Sequence, residues 1–185
     1  MRIYKDQLQR TINLPQVPQR IVSLVPSQTE LLVDLGLEDR LVGVTKFCVH
    51  PARLRKERTI VGGTKTYHFD RIDSLHPDLI IGNKEENEQS GIERLAKHYP
   101  VWMSDVKTLP DAFSMIEEIG KLTNTQPEAG KIISRLNSEF KNPIPKKGTV
   151  VYLIWNDPIM VAGSDTFINE MLYWAGFENL IQPNR

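Results

Sequence analysis

With 185 residues, 23 basic and 23 acidic side chains and 40% apolar residues, the chain has the size and composition of one large or two small globular domains. Its formal net charge of zero excludes the broad basic face that nucleic-acid binding requires, so no nucleic-acid partner is expected. No stretch approaches the roughly 20 apolar residues that span a bilayer, and a single cysteine, Cys48, excludes an internal disulfide.

Met1 to Asp6 has neither the apolar segment nor the small-residue cleavage site of a secretory leader. The chain is therefore expected to be either cytoplasmic or the mature part of an exported protein. Ile3-Tyr4 and Thr11 to Leu14, separated by a turn near Asp6, read as a small β-hairpin that Pro15 and Pro18 end. Ile21 to Val25 is apolar almost throughout, as a strand covered on both faces should be. Pro26 stops it, Ser27 and Glu30 offer a capping box for a short apolar helix, and Gly36 closes that helix.

Leu41 to Val44 is the next expected strand, followed by a turn or two of helix over Pro51 to Lys56. Thr59 to Val61 is a short strand stopped by Gly62-Gly63, and Asp70 to Leu75 is helical, with Asp70 in the first turn where the helix dipole favours an anion. Leu79 to Ile81 and Val101 to Met103 are buried strands on either side of a helix at Ser90 to Lys97. Strands alternating with helices at this spacing predict an α/β fold with a parallel sheet flanked by helices.

Two helices follow. The first starts around Thr108 to Asp111, and the second starts at Thr125, with Pro127 in its first turn and Glu128 completing a capping box. Pro143, Pro145 and Gly148 mark a linker, and a further strand is expected at Thr149 to Trp155. The expected domains are an N-terminal α/β lobe over 1–124, a backbone helix over 125–142, and a partial C-terminal α/β lobe over 143–185; that lobe is thin for an independent core, so either it packs on the first lobe or on a partner chain, or it is truncated.

One phrase occurs twice. An apolar strand, Ser27-x-Thr29, a short apolar run and Gly36-Leu37-Glu38-Asp39 return as Ser164-x-Thr166, an apolar run about one helical turn longer and Gly176-Phe177-Glu178-Asn179. Two similar openings far apart suggest two similar lobes with a cleft between them.

Candidate ligand-binding residues lie where strands give way to loops, because ligands of open α/β sheets sit at the carboxyl edge. In an extended Lys46 to Pro51 segment, Cys48 and His50 would point the same way and offer two soft ligands to a metal; a buried Cys with a capping His is the alternative. Gly62-Gly63-Thr64-Lys65-Thr66-Tyr67-His68 lets a ligand approach a backbone closely, or is a plain tight connection, and it lacks the spacing of a phosphate loop. Asn83 to Glu88 is either a polar rim of the site or a solvated helix start. Trp155 and Met160 would wall a flat ligand or fill a core. No nucleophile elbow, His-Glu-x-x-His or Gly-x-Gly-x-x-Gly is present, so no catalytic residue is assigned. A metal-dependent enzyme using Cys48 and His50 is the remaining rival.

Arg20 to Glu30 (RIVSLVPSQTE), Leu41 to Pro51 (LVGVTKFCVHP), Phe69 to Gly82 (FDRIDSLHPDLIIG), Ala162 to Phe167 and Gly176 to Leu180, with the opening hairpin, occur in one order over nearly the whole chain. In these segments the chain resembles the substrate-binding proteins of ABC importers for cobalamin, haem and iron-siderophores, the helical-backbone metal-receptor class, and the cobalamin binders above all. The resemblance implies two α/β lobes joined by one long helix, a ligand held between them, an extracytoplasmic location and a membrane permease as partner. It implies cobalamin as ligand, with haem or an iron-siderophore as alternatives, and no catalytic cofactor. A cytoplasmic relative that sequesters or senses a corrinoid is a further alternative. Phe47 matches an aromatic position of cobalamin binders. Thr64 and Asn83 match positions where some carry Trp, an aromatic surface that Tyr67 and Trp155 would have to supply here. Lys65 and His68 complete the expected ligand-facing loop, and His50, Tyr67 and Met160 are of types that ligate haem iron. Asp70 matches the acid with which the first lobe docks on the permease; the matching acid of the second lobe would fall beyond Arg185.

Overall fold

The computed structural model describes residues 2–182; Met1 and residues 183–185, the last of the expected C-terminal lobe, lie outside the described residues. Two compact units emerge. The first comprises the described residues through Asp105 together with Ile116–Ala129, and the second comprises Val106–Met115 and the described residues from Gly130 onward.

The first unit opens with the expected hairpin, β1 (Arg2–Lys5) and β2 (Thr11–Leu14), paired antiparallel. Its five-stranded sheet contains β3 (Ile21–Ser23), β4 (Leu41–Val44), β5 (Thr59–Ile60), β6 (Leu79–Asn83) and β7 (Val101–Ser104) in the order β5-β4-β3-β6-β7, every pair parallel. The connecting helices are α1 (Pro26–Asp34), α2 (Leu54–Glu57), α3 (Phe69–Ser74) and α4 (Gln89–Ala96). The apolar runs Ile21-Val22 and Leu79-Ile80-Ile81 are completely buried because helices cover both faces of a parallel sheet. One face packs Val22, Leu24, Ile80, Val101 and Met103 against Ile72, Ile92 and Leu95. Each such aliphatic side chain contributes about 1.5–3 kcal/mol on burial.

The outer edge of β7 does not face water as an open ladder. Gln7 N donates to Met103 O (3.2 Å), Met103 N donates to Asp6 Oδ2 (3.3 Å), and Asp105 N donates to Gln7 Oε1 (3.0 Å). The Asp6 carboxylate, with its side chain fully buried, also receives Leu8 N, Arg10 N and Arg10 Nε. The hairpin turn therefore clips over a strand edge that would otherwise invite pairing with another chain.

Two longer helices follow, α5 (Leu109–Thr123) and α6 (Gln126–Glu139); the division between the units falls inside both. In the second unit β8 (Gly148–Val150) pairs parallel with β11 (Phe177–Asn179), and β9 (Leu153–Asn156) folds back antiparallel on β10 (Ile159–Val161). The single strand expected over Thr149 to Trp155 is thus two strands. Gly148–Val150 pairs with β11, whereas Leu153 and Trp155 pair with Val161 and Met160 of β10. Helix α7 (Phe167–Trp174) packs Trp174 edge-on against Phe140, ring centroids 5.5 Å apart.

The repeated phrase is only partly a structural repeat. Both helices end at a glycine in the left-handed region, Gly36 (φ 76°) and Gly176 (φ 85°), where a Cβ would be strained. Their starts differ. Thr166 precedes α7 and caps it, accepting from Asn169 N at 3.1 Å, whereas Ser27 and Thr29 lie inside α1. Val25 is the N-cap of α1 and no side chain caps it, so the expected Ser27 capping box does not form: Pro26 already occupies the first helical position.

Candidate functional site

In the order β5-β4-β3-β6-β7 the chain direction of the connections reverses between β3 and β6. That is the topological switch point of a doubly wound sheet, and its carboxyl edge is where such folds bind ligands. Five loops meet this edge: those after Ser23, Val44, Ile60, Asn83 and Ser104. Phe47, Cys48, His50, Thr64, Lys65, Tyr67, His68 and Asn83 all belong to them or, for Asn83, to the last residue of a strand.

The loop after β4 exposes Phe47, whose ring is 49% accessible with Lys46 Nζ 5.1 Å from its centroid. Gly63 sits close beneath it, and a Cβ there would stand 3.3 Å from the ring. The segment is not extended. Cys48 N bonds to Thr45 O (3.1 Å) and Val49 N to Phe47 O (2.9 Å), a tight turn that sends Cys48 inward and leaves His50 exposed. The two side chains consequently do not point the same way. Cys48 Sγ shares hydrogen bonds with Thr29 Oγ1 (3.1 Å) and Thr45 Oγ1 (3.3 Å) in a fully buried pocket. Among the described residues no group of three or more His, Cys, Asp and Glu side chains could hold a metal ion.

The loop after β5 keeps Thr64 half-buried and Lys65 and His68 exposed, but Tyr67 is buried. Tyr67 Oη donates to Thr64 O (2.8 Å) and accepts from Glu88 N (3.2 Å). Burial pushes its phenol pKa above the ordinary value; the hydrogen bonds with Glu88 and Asn87 oppose that shift. Asn83, half-buried, donates from Nδ2 to Ser104 Oγ (2.9 Å) and accepts Glu85 N (2.8 Å) and Glu86 N (3.2 Å) at Oδ1, so its side chain shapes its own loop.

Three polar groups of this edge stand out in the structure and not in the sequence. Asn87 Oδ1 accepts from Asn83 N (2.8 Å), and its Nδ2 donates to Thr64 O (2.8 Å) and Leu24 O (3.3 Å). Gln28 Nε2 donates to Ser104 Oγ (2.5 Å) and Gly82 O (3.2 Å). Thr29 Oγ1 lies 2.8 Å from Ser23 Oγ and 3.0 Å from Val25 O. Gln28 and Thr29 are buried polar residues in an apolar-looking helix, the one signal in the sequence that would have marked them. Asp70 is exposed in the first turn of α3.

In the second unit Trp155 and Met160 face each other directly across the β9–β10 hairpin, 63% and 50% exposed. Trp155 Nε1 donates to Asp157 O (2.8 Å), which fixes the indole in the turn. The same unit holds an open concavity of about 520 Å³ walled by Ile144, Asn169, Tyr173 and Phe177. None of the residues expected to bind ligand lines it, and its charged wall residues Lys146 and Glu178 pair with each other.

The doubly wound sheet and its loop-built carboxyl edge define an α/β lobe of the class whose ligands sit at that edge. Residues 21–184 match the periplasmic binding protein family, and the chain belongs to that family. It is 29% identical over 180 residues to an uncharacterized ABC transporter substrate-binding lipoprotein, YvrC, of Bacillus subtilis, a match that takes in 90% of this chain and 57% of the relative. The chain thus spans little more than half the length of that relative. Among solved structures it is similar to the periplasmic vitamin B12 binding protein BtuF of Vibrio cholerae, with a TM-score of 0.77 and 25% identity over 92% of this chain and 69% of that one. It is also similar to a periplasmic heme binding protein from Pseudomonas aeruginosa, with a TM-score of 0.75 and 26% identity over 90% of this chain and 64% of that one.

Proposed function

We propose that this chain is the ligand-binding part of a substrate-binding protein serving an ABC-type importer, and that its cargo is a metal-containing cofactor. Cobalamin is the first candidate, with haem or an iron-siderophore as alternatives. The observation that carries this reading is Phe47: an aromatic ring half open to water, on the carboxyl edge that also presents half-buried Thr64 and Asn83 around the switch point. A broad, flat cargo laid on such a surface gains about 25 cal/mol per Å² of apolar area removed from water, before the costs of association. Of the two soft ligands expected on the loop after β4, only His50 is exposed to a cargo's metal, since Cys48 is enclosed.

The reading assigns the chain no covalent step. It places the working protein outside the cytoplasmic membrane, with Asp70 as the acid that meets basic residues of a permease. Absorbance titrations of the protein with cyanocobalamin, haemin and a ferric siderophore test it. A saturable spectral change with one of the three is expected. No change and no heat of binding with any of them overturns it.

A further inference from the structure

Asn87 is 7% exposed, lies in a segment whose neighbours Glu85, Glu86 and Glu88 face water, and turns its side-chain amide onto the backbone of the neighbouring loops. One oxygen and one nitrogen reach three segments far apart in sequence: Asn83 N at the end of β6, Thr64 O after β5 and Leu24 O after β3. β3 and β6 are the two strands that flank the switch point. Thr64 O also receives the Tyr67 hydroxyl, and Tyr67 Oη in turn accepts Glu88 N, so the network closes on the residue next to Asn87. Two glycines make room for it. A Cβ on Gly82 would stand 2.6 Å from Asn87 Oδ1, and one on Gly91 would stand 2.3 Å from the Tyr67 ring.

We infer that Asn87, seconded by Tyr67, is the positioning residue of the carboxyl edge: its amide locks the loops after β3, β5 and β6 to one another and so holds Thr64 and Asn83 in a preformed arrangement before ligand arrives. The part of this that concerns ligand rests on the function proposed above. The lock itself is a property of the unliganded protein. A surface set in advance avoids the cost of ordering three loops on binding, and side-chain bonds to backbone groups help to hold irregular loops that lack a full ladder of their own.

Amide hydrogen exchange on the unliganded protein tests the lock. Asn87→Asp keeps the acceptor for Asn83 N and removes both donated bonds. It is expected to speed exchange about tenfold or more at Gly63, His68 and Glu88 while Val22 and Ile80, in the sheet, stay unchanged. Gly82→Ala, which crowds the same amide, is expected to reproduce this pattern, and Asn87→Gln to restore none of it because the longer side chain misplaces the amide. Unchanged exchange in the loops of Asn87→Asp overturns the inference. So does a uniform acceleration through the sheet, which would make Asn87 a general stabiliser. A second arm titrates wild type and Asn87→Asp with cyanocobalamin and haemin. At least about tenfold weaker binding of the probe that wild type binds is expected, and equal affinity overturns the positioning role. If wild type binds neither probe, the proposed function falls, and the exchange arm decides the lock independently.

Discussion

The ring of Tyr67 occupies the space that a side chain at Gly91 would need. A Cβ built on Gly91 meets Tyr67 Cε2 at 2.3 Å and Cδ2 at 2.6 Å, and the ring cannot swing away because its hydroxyl is held between Thr64 O and Glu88 N. Gly91→Ala is therefore expected to destabilise the protein by about 1–3 kcal/mol through overpacking, which offsets the roughly 0.8–1 kcal/mol that a Gly-to-Ala change in a helix interior normally gains. The denaturant midpoint measures it; an increase would show that the ring yields freely.

Tyr67→Phe leaves Glu88 N without its acceptor and is expected to cost about 1–2 kcal/mol. It also has a pH signature. The phenol pKa is raised in the folded state by burial, so the stability this group contributes is complete below the ordinary phenol value near 10 and falls as pH climbs from there through the raised value. Tyrosinate absorbance should show a component titrating above the ordinary range that Tyr67→Phe removes.

Asp6→Ala is expected to cost about 3 kcal/mol. It strips a fully buried carboxylate from Leu8 N, Arg10 N, Arg10 Nε and Met103 N and leaves the Arg10 guanidinium without its partner; because Arg10 keeps a third of its side chain in water, the loss stays at the lower end of the range for broken buried pairs. Uncovering the β7 edge should also raise the tendency to self-associate, which light scattering reads.

Cys48, fully buried between Thr29 and Thr45, is expected to react with a water-soluble aromatic disulfide reagent at least about a hundredfold more slowly in the folded protein than in denaturant, because access limits the thiolate's attack. Fast reaction of the native protein would contradict the enclosed placement.

Phe47→Ala is expected to leave stability within about 0.5 kcal/mol, since the ring is half exposed. It should weaken binding of the proposed cargo by about tenfold, the share of one aromatic face. Paired thermal melts and absorbance titrations separate the two effects.

Much of the architecture was legible. Ile21-Val22 and Leu79-Ile80-Ile81 announce buried parallel strands because nothing polar interrupts them, and Gly36 and Gly176 announce helix ends because few other residues accept their backbone. The run from Thr149 to Trp155 misled because continuous apolarity does not reveal that Val150 pairs with Asn179 while Trp155 pairs with Met160; long-range pairing decides where such a run breaks. Cys48 and His50 misled because their two-residue spacing assumes an extended chain, and the hydrogen bond from Cys48 N to Thr45 O bends it. Asn87 was illegible for another reason: it bonds to backbone N–H and C=O groups, which nearly every residue has, so nothing in the neighbouring letters distinguishes a lock from a solvated loop.

The clip ties Asp6 to Met103, 97 positions further along the chain. Until that much more chain has left the ribosome the clip has nothing to close upon, and closing so large a loop is entropically slow. The growing polypeptide thus carries this fastener well before it can be used and fastens it only when the final ribbon of the sheet is laid down.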